Sequence, residues 1–303
     1  MKLVSIVTVN FNQPKATIAL LQSLKKQVDA NIEVILVDNA SDENHEAEFY
    51  NTFPSLTFIR TKVNLGFAGG NNLGINVAKG DYIFLLNNDT EVPEGCICGM
   101  IEEFEKNKNI GLLSPLILYD DDKSVIQYAG YTPLNYLTAR NTQIGQYEKN
   151  TGQFDGVTRE TGFCHGAAVM CRTKDMHKAG LMDENYFLYY EELDWCEKFK
   201  RIDKGIYFTG KTFIYHKESI SVGKESAIKT YFLTRNRMLF IRKNTNFLNV
   251  LFFSIYYIFI ACPKMMVKYV LTGKGTLAKW VIKAVFWNLT HQKNSKHLGF
   301  KIK

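Results

Sequence analysis

Hydrophobic positions follow two rhythms over the first 117 residues, short continuous apolar runs and stretches of helical period. Leu3–Val9 is an apolar run rich in β-branched residues and predicts a buried strand. Pro14 then opens a stretch in which Ile18, Leu21 and Leu24 recur at helical spacing, with proline at a favourable early position. Glu33–Val37 and Leu56–Arg60 predict a second and a third strand. Between them, Asp38-Asn39-Ala40-Ser41-Asp42 predicts a turn that also caps the polar helix after it. The stretch Asn64-Leu65-Gly66-Phe67-Ala68-Gly69-Gly70-Asn71-Asn72 reads as a glycine-rich loop leading into a helix to about Lys79. A fourth strand at Tyr82–Leu86, a helix from Pro93 to about Lys106 and a strand at Ile110–Leu116 complete the series. Repeated strand–helix units predict an α/β fold with a mostly parallel sheet flanked by helices.

The rhythm is lost between 118 and 160, a polar stretch rich in Asp, Asn, Gln and Tyr that reads as a long loop or excursion. Order returns at Gly162–Cys171, followed by a short helix to Ala179. Tyr186–Tyr190 is aromatic and runs into a charged helix, Glu191–Lys200. Two short strands, Ile206–Thr209 and Thr212–Tyr215, lead to His216 and on to Lys217–Ser221.

The C-terminal part changes character again. Fourteen Lys and Arg and no Asp or Glu follow Glu225, which leaves 23 basic against 30 acidic side chains before that point. An acidic body (1–225) with a basic, apolar helical segment (226–303) suits a polyanionic surface. Phe247–Cys262 is nearly all apolar, and sixteen residues before Pro263 make a helix of roughly 24 Å, short of a hydrocarbon core of about 30 Å. Lys279 and Lys283 share a helix with Trp280, Val281, Val285 and Phe286, which would place Trp280 and Trp287 at headgroup level. A helical lid packed on the body and a spanning or re-entrant helix are alternatives to lying in an anionic membrane interface. Nucleic acid is disfavoured as a partner, because the basic positions alternate with long aliphatic runs. The six scattered cysteines form no CxxC pair and suit a reducing compartment. Leu3–Val9 is too short and too polar at Ser5 and Thr8 for a secretory signal, so the body is expected to face the cytosol.

Candidate chemistry sits where strands end. Asn10/Asn12, Asp38/Asn39 and Asn87/Asn88/Asp89 each follow a predicted strand, at the edge where open α/β sheets bind ligands. Asp38 is suited to accept from a base N–H or a ribose hydroxyl, and Asp89 to ligate Mg²⁺ or Mn²⁺ held against a diphosphate. Glycines in the 64–72 stretch would let backbone N–H groups approach the ligand. The turn after the first strand has no glycine, which argues against a dinucleotide-binding fingerprint, and no P-loop sequence is present.

The stretches Val4–Asn10, Val34–Ser41, Asn64–Asn72 and Phe84–Thr90 together resemble a family 2 glycosyltransferase with the GT-A fold. Within it they are most similar to the bacterial rhamnosyltransferase-like group of cell-surface polysaccharide synthesis. The resemblance covers roughly residues 3–220. It implies transfer of a sugar from a nucleoside-diphosphate donor, dTDP- or UDP-linked, with inversion and with Mg²⁺ or Mn²⁺. The acceptor would be a glycan or a polyprenyl or other lipid-linked molecule, and the enzyme would lie on the cytoplasmic face of the inner or plasma membrane, peripheral or monotopic. Residues 1–117 become the nucleotide-binding half and 118–225 the acceptor-binding half. Val9, Asn10, Asn12, Asp38, Asn39, Asn64, Gly66, Phe67, Gly69, Asn71, Asn72, Asn87, Asn88 and His165 fall at donor-binding positions. Asp89 falls at the metal-binding end of the family's D-x-D motif, with Asn87 where many members carry its first Asp, and His216 at a position that can contact metal or diphosphate. The E-D-x-D-L stretch corresponds to Glu191-Glu192-Leu193-Asp194-Trp195, which puts Glu192 at the base position, with Glu191 and Asp194 beside it. Glu191 and Asp194 share a helix face, while Glu192 points about 100° away from Glu191.

Arg235-Asn236-Arg237 suits phosphate neutralisation or a basic helix face toward lipid equally well. Two other readings compete with a transferase. A sugar nucleotidyltransferase would need a Gly-rich, Arg/Lys-bearing loop after the first strand, which residues 10–16 do not supply. A catalytically silent nucleotide-sugar-binding or scaffold subunit is kept open by Asn87 and by Glu in place of Asp at 192.

Overall fold

The computed structural model describes residues 2–217 and 226–302. The boundary expected at 225/226, and the run from 218 to 221 that follows His216, lie outside the described residues. The chain begins with β1 (Leu3–Asn10), α1 (Pro14–Leu24), β2 (Asn31–Asp38), α2 (Glu46–Thr52) and β3 (Thr57–Arg60). It continues through α3 (Gly66–Ile75), β4 (Tyr82–Leu86), β5 (Thr90–Glu91), α4 (Cys96–Lys106) and β6 (Ile110–Tyr119). Then come β7 (Ile126–Tyr128), β8 (Thr158–Glu160), β9 (Ala168–Arg172), α5 (Thr173–Ala179), α6 (Glu191–Lys200) and β10 (Gly205–His216). The C-terminal segment is helical, with α7 (Ala227–Asn244), α8 (Phe247–Tyr256), α9 (Cys262–Leu271) and α10 (Ala278–Thr290).

One sheet runs in the order β3-β2-β1-β4-β9-β6-β10-β5, with β7 on β6 and β8 on β10. Its central strands are apolar on both faces. In β4, Tyr82, Phe84 and Leu86 join the core beneath α1, α2 and α4, while Ile83 and Leu85 join the core beneath α3, α5 and α6. Burial on both sides explains why these strands read as continuous apolar runs rather than as alternation. The fold class is as expected, but the sheet is mixed. β1 pairs in parallel with β2 and β4, whereas β9 runs antiparallel between β4 and β6. The reversal brings the residues just before β9 to the same edge as the carboxyl ends of β1, β2, β4 and β10. That edge carries the candidate site.

Four local expectations are corrected. The glycine-rich stretch is not a loop from 64 to 72, because α3 begins at Gly66. The two short strands before His216 are one strand, β10, with a register shift between Thr209 and Phe213 against β6. The helix that starts at Phe247 does not stop before Pro263. It runs on to Leu271 through a π-helical turn at Tyr257–Ala261, giving 25 residues long and apolar enough to cross a membrane by length and composition. Pro lacks an N–H and crowds the carbonyl four residues earlier, and a wider turn just upstream relieves both problems. The cap expected from the 38–42 cluster is also absent: α2 starts after His45 without a side-chain cap.

Candidate active site

Register places the first polar group. β1 and β2 bring Asn10 opposite Asp38, and Asn10 Nδ2 donates to Asp38 Oδ2 at 2.7 Å and to Ser41 Oγ at 3.1 Å. Ser41 N donates to Asp38 Oδ1 at 3.0 Å, and the Arg60 guanidinium stands 3.5 Å from the same oxygen. On the other side, Thr17 Oγ1 donates to Asn10 Oδ1 at 2.9 Å and accepts from Asn88 Nδ2 at 2.9 Å. Asn10, Asp38 and Asn88 are all buried, so this network stitches together the ends of β1, β2 and β4. It fixes the Asp38 carboxylate before any ligand arrives. Asn12 is exposed at φ 54° and exchanges hydrogen bonds with Asp42.

The glycines of α3 serve close packing. A Cβ on Gly70 would fall 2.9 Å from a Val9 methyl, and one on Gly66, at φ +72°, would fall 2.2 Å from the Phe187 carbonyl oxygen. Phe67 N donates to that same oxygen at 2.7 Å. Asn39 holds the start of α3: it donates to Asn64 Oδ1 and Gly66 O and accepts from Leu65 N. Asn71 turns back on Phe67 O. Asn72 donates to Met182 O and Glu184 Oε1 and accepts from Met182 N, and a Cβ on Gly69 would lie 3.9 Å from the Glu184 carboxyl carbon. The helix thus cradles the segment from Met182 to Phe187, which leads to the carboxylates of α6.

At the end of β4, Asn87 N donates to Ala167 O, and Lys217 N donates to Asp89 O, which ties this edge to β9 and β10. His216, the last residue of β10, pairs in register with Thr90. Its Nδ1 lies 2.7 Å from Gln127 Oε1, which can only accept, so Nδ1 donates there and Nε2 is the ring nitrogen that faces the site. That Nε2 is 3.4 Å from Asn87 Nδ2 and 3.2 Å from Asp89 Oδ1. Asp89 Oδ1 is buried and makes no hydrogen bond. A buried carboxylate oxygen without a hydrogen-bond donor, facing an imidazole nitrogen, is a pair of ligand types suited to a divalent cation. Among the described residues no set of three His, Cys, Asp or Glu converges, so the pair leaves an ion's remaining positions to other ligands. His165 is half-buried next to His216, with ring centroids 5.8 Å apart, and accepts from Ala167 N through Nδ1. Burial, with His216 alongside, pushes its pKa down to about 3, so it stays neutral.

The carboxylate trio divides. Asp194 is buried and accepts from Tyr186 Oη at 3.1 Å and Asn244 Nδ2 at 2.8 Å, which turns it into the protein. All three keep one buried oxygen without a hydrogen bond, but that of Asp194 has the Lys198 ammonium 3.9 Å away, while Glu191 and Glu192 have no such cation among the described residues. Burial raises the Glu192 pKa to about 7, and burial with Glu192 beside it raises that of Glu191 well above the usual carboxylate range. Gly166 opens the space in front of Glu192: a Cβ there would lie 3.9 Å from Glu192 Cγ and 4.0 Å from the Phe67 ring. Residues 165–166 therefore sit between the Asp89–His216 pair and the Glu192 carboxylate. A poised, partly desolvated carboxylate near a cation-suited edge is equipped to deprotonate a hydroxyl.

Arg235 and Asn236 are not a surface for phosphate or lipid. Both are fully buried, and the Arg235 guanidinium stacks 4.0 Å from the Trp287 ring. Trp287 itself is buried and donates to His297 O, so it is a core residue and not a headgroup anchor. Gln127 lies in the aperiodic 118–160 stretch, where no spacing signals it.

Comparison with known proteins identifies the family and the fold. The Glycosyl transferase family 2 model matches residues 5–178. A glycosyltransferase of Haemophilus influenzae is 37% identical over 112 residues, so this chain spans only 37% of that relative's length. The low-salt glycan biosynthesis hexosyltransferase Agl10 of Haloferax volcanii is 24% identical over 78% of this chain and 74% of its own. The N-acetylglucosaminyl-diphospho-decaprenol L-rhamnosyltransferase of Mycobacterium tuberculosis is 22% identical over 73% of this chain and 78% of its own. Among solved structures, GalNAc-T7 with UDP, GalNAc and Mn²⁺ superposes with a TM-score of 0.67 at 15% identity, covering 94% of this chain and 55% of that one. The sheet edge that carries Asp38, Asp89 and His216 thus lies in a GT-A fold, and the chain belongs to glycosyl transferase family 2.

Proposed function

We propose that the chain transfers a hexose or rhamnose, with inversion, from a dTDP- or UDP-linked donor to a glycan or polyprenyl-diphosphate-linked acceptor. It would work on the cytoplasmic face of the inner or plasma membrane, in the synthesis of a surface polysaccharide. The observation that carries this reading is the buried, donorless Asp89 Oδ1 opposite His216 Nε2 at 3.2 Å, with the Glu192 carboxylate beyond Gly166. The rhamnosyl and lipid-diphosphate parts draw on the name of the mycobacterial relative.

Each residue then has a task. Asp38, held by Asn10, Ser41 and Arg60, accepts from the base or ribose of the donor. Asp89 and His216 would hold Mg²⁺ or Mn²⁺, whose charge would stabilise the leaving diphosphate. Gln127 fixes the His216 ring so that Nε2 faces the site. Glu192, with its pKa near 7, takes the proton of the acceptor hydroxyl as it attacks. Glu191 keeps a second buried carboxyl at the same helix start, and Asp194 anchors that start to α7.

The test is a thermal-shift panel of nucleoside-diphosphate sugars with and without Mn²⁺ on the purified protein, followed by proton NMR of the product's anomeric configuration. Binding to the native state raises its apparent stability, so the true donor stands out. Stabilisation by one dTDP- or UDP-sugar, increased by Mn²⁺, with an inverted product, is the expected result. A panel with no stabilising nucleotide sugar and no donor turnover would sink the transferase reading in favour of a silent scaffold.

A further inference from the structure

The loop that precedes Glu192 is held in a backbone state that few side chains adopt. Phe187, Tyr189 and Tyr190 have φ of 63°, 70° and 74°. Non-glycine residues in the left-handed region crowd their own backbone and persist only where the surroundings over-determine them. Here the surroundings are one turn of α7. Asn236 Nδ2 lies 2.8 Å from each of the carbonyls of Tyr186, Leu188 and Tyr189. Arg235 donates to Asn185 O at 2.8 Å, and Arg237 Nε donates to Tyr190 Oη at 2.6 Å. Arg235 Nη1 also donates to Asn236 Oδ1 at 2.8 Å, which fixes which way round the amide sits and turns its N–H side toward the carbonyls.

We propose that Asn236, oriented by Arg235, is a positioning residue for the reaction: it holds the 186–190 loop in its left-handed path and so aims the Glu192 carboxylate. The inference rests on Glu192 being the base. It makes α7 a working part of the active site, although α7 belongs to the C-terminal helical segment and contributes no group to the reacting atoms. An amide suits the task, since Asp would set a carboxylate against three carbonyl oxygens, and Ala would strip the part-buried carbonyls of Leu188 and Tyr189 of this donor and leave Tyr186 O only its bond from Leu188 N.

The test compares Asn236→Ala and the milder Asn236→Ser, which retains one donor, with wild type in the full-length protein. Amide hydrogen exchange over 187–194 should quicken by about tenfold or more in the folded variants, while β1 and β4 keep their protection. Turnover should fall by about tenfold or more with donor KM within about twofold, because the donor edge is untouched. The acid limb of kcat should move below its wild-type position near pH 7, toward an ordinary carboxylate, as the misaimed group gains solvent. Unchanged exchange over 187–194 in a folded variant overturns the proposal. So does a loss of turnover that only tracks the folded fraction, with the acid limb unmoved. Failure of the transferase reading would appear instead as an inactive wild type, and the exchange experiment would still decide whether Asn236 orders the loop.

Discussion

His216 Nε2 and Asp89 Oδ1 face each other across 3.2 Å with no hydrogen bond between them. Gln127 accepts from Nδ1, so the ring nitrogen that meets the carboxylate oxygen is Nε2. Such an arrangement is relieved by a proton or a cation placed between the two.

Metal binding should therefore depend on three residues from three parts of the chain. Asp89→Ala and His216→Ala are expected to abolish the Mn²⁺-dependent part of the thermal stabilisation measured with nucleoside diphosphate. Gln127→Ala, which touches no ligand, should weaken Mn²⁺ affinity by about 10- to 100-fold by freeing the ring. Titration calorimetry with Mn²⁺ checks all three, and wild-type affinity in Asp89→Ala would remove that residue from the metal site.

The Glu192 carboxyl supports a prediction with opposite signs for activity and stability. Its folded pKa of about 7 lies above the unfolded value near 4.5, so between those pH values the native state binds more protons than the unfolded chain. Stability attributable to this group thus falls as pH rises through that window and is lowest above pH 7. Glu192→Gln removes the buried charge and should raise stability at pH 8 by on the order of 1–3 kcal/mol, while transfer is lost. At pH 4 the two proteins should melt alike. Denaturant melts at both pH values test this, and a less stable Glu192→Gln at pH 8 would contradict the burial argument.

Asp194 should behave differently from its neighbours. Replacing it with Ala leaves the buried Tyr186 hydroxyl without its acceptor and the half-buried Asn244 amide with only Phe240 O. A loss of about 2–4 kcal/mol is expected, with loss of activity following loss of fold. Asp194→Asn keeps an acceptor oxygen and should retain most of the turnover. A folded Asp194→Asn as inactive as Glu192→Gln would return Asp194 to the chemistry.

How much of this was legible in the sequence depends on what each residue touches. Strand ends carrying Asn10, Asp38 and Asp89 could be read because an apolar run closing on carboxamides and carboxylates is a local signal. The division of labour among Glu191, Glu192 and Asp194 could not, since it is set by Asn244 and Tyr186. Glycines at 66 and 70 announced close approach, but not that Phe187 and Val9 are what approaches. The reversed strand β9 has an apolar run that suits either direction. Arg235-Asn236-Arg237 looked like a charged surface because nothing nearby in sequence reveals the aromatic and carbonyl lining that buries it.

Membrane association is best tested on the surface of the C-terminal segment rather than by deleting it. α10 is packed on α7: Asn288 Nδ2 donates to Arg235 O, and Arg242 donates to Asn288 Oδ1. Removal of everything after 245 would therefore uncover the turn that holds the Glu192 loop, and a loss of sedimentation could mean a broken fold. The helix Phe247–Leu271 offers a cleaner target, because in its most apolar stretch only 17% of residues are buried. Phe252, Phe259 and Ile260 all project outward there, and Phe286 and Leu289 do so on α10. At about 1.5 Å per residue a 25-residue helix reaches roughly 37 Å, enough for a hydrocarbon core of about 30 Å, so length alone does not separate lying in the interface from spanning. Charge does. Lys264, Lys268, Lys279 and Lys283, with no acidic residue anywhere after Glu225, favour an anionic headgroup layer. Vesicles containing about one-third anionic lipid should sediment the protein, and about 0.5 M salt should weaken the binding without abolishing it, since the apolar share is not screened. The triple variant Phe252→Ser/Phe259→Ser/Ile260→Ser should stay in the supernatant and keep transferring sugar to a water-soluble acceptor. Persistent sedimentation of that variant, or equal binding to neutral vesicles, would remove this face or its charge from the anchoring.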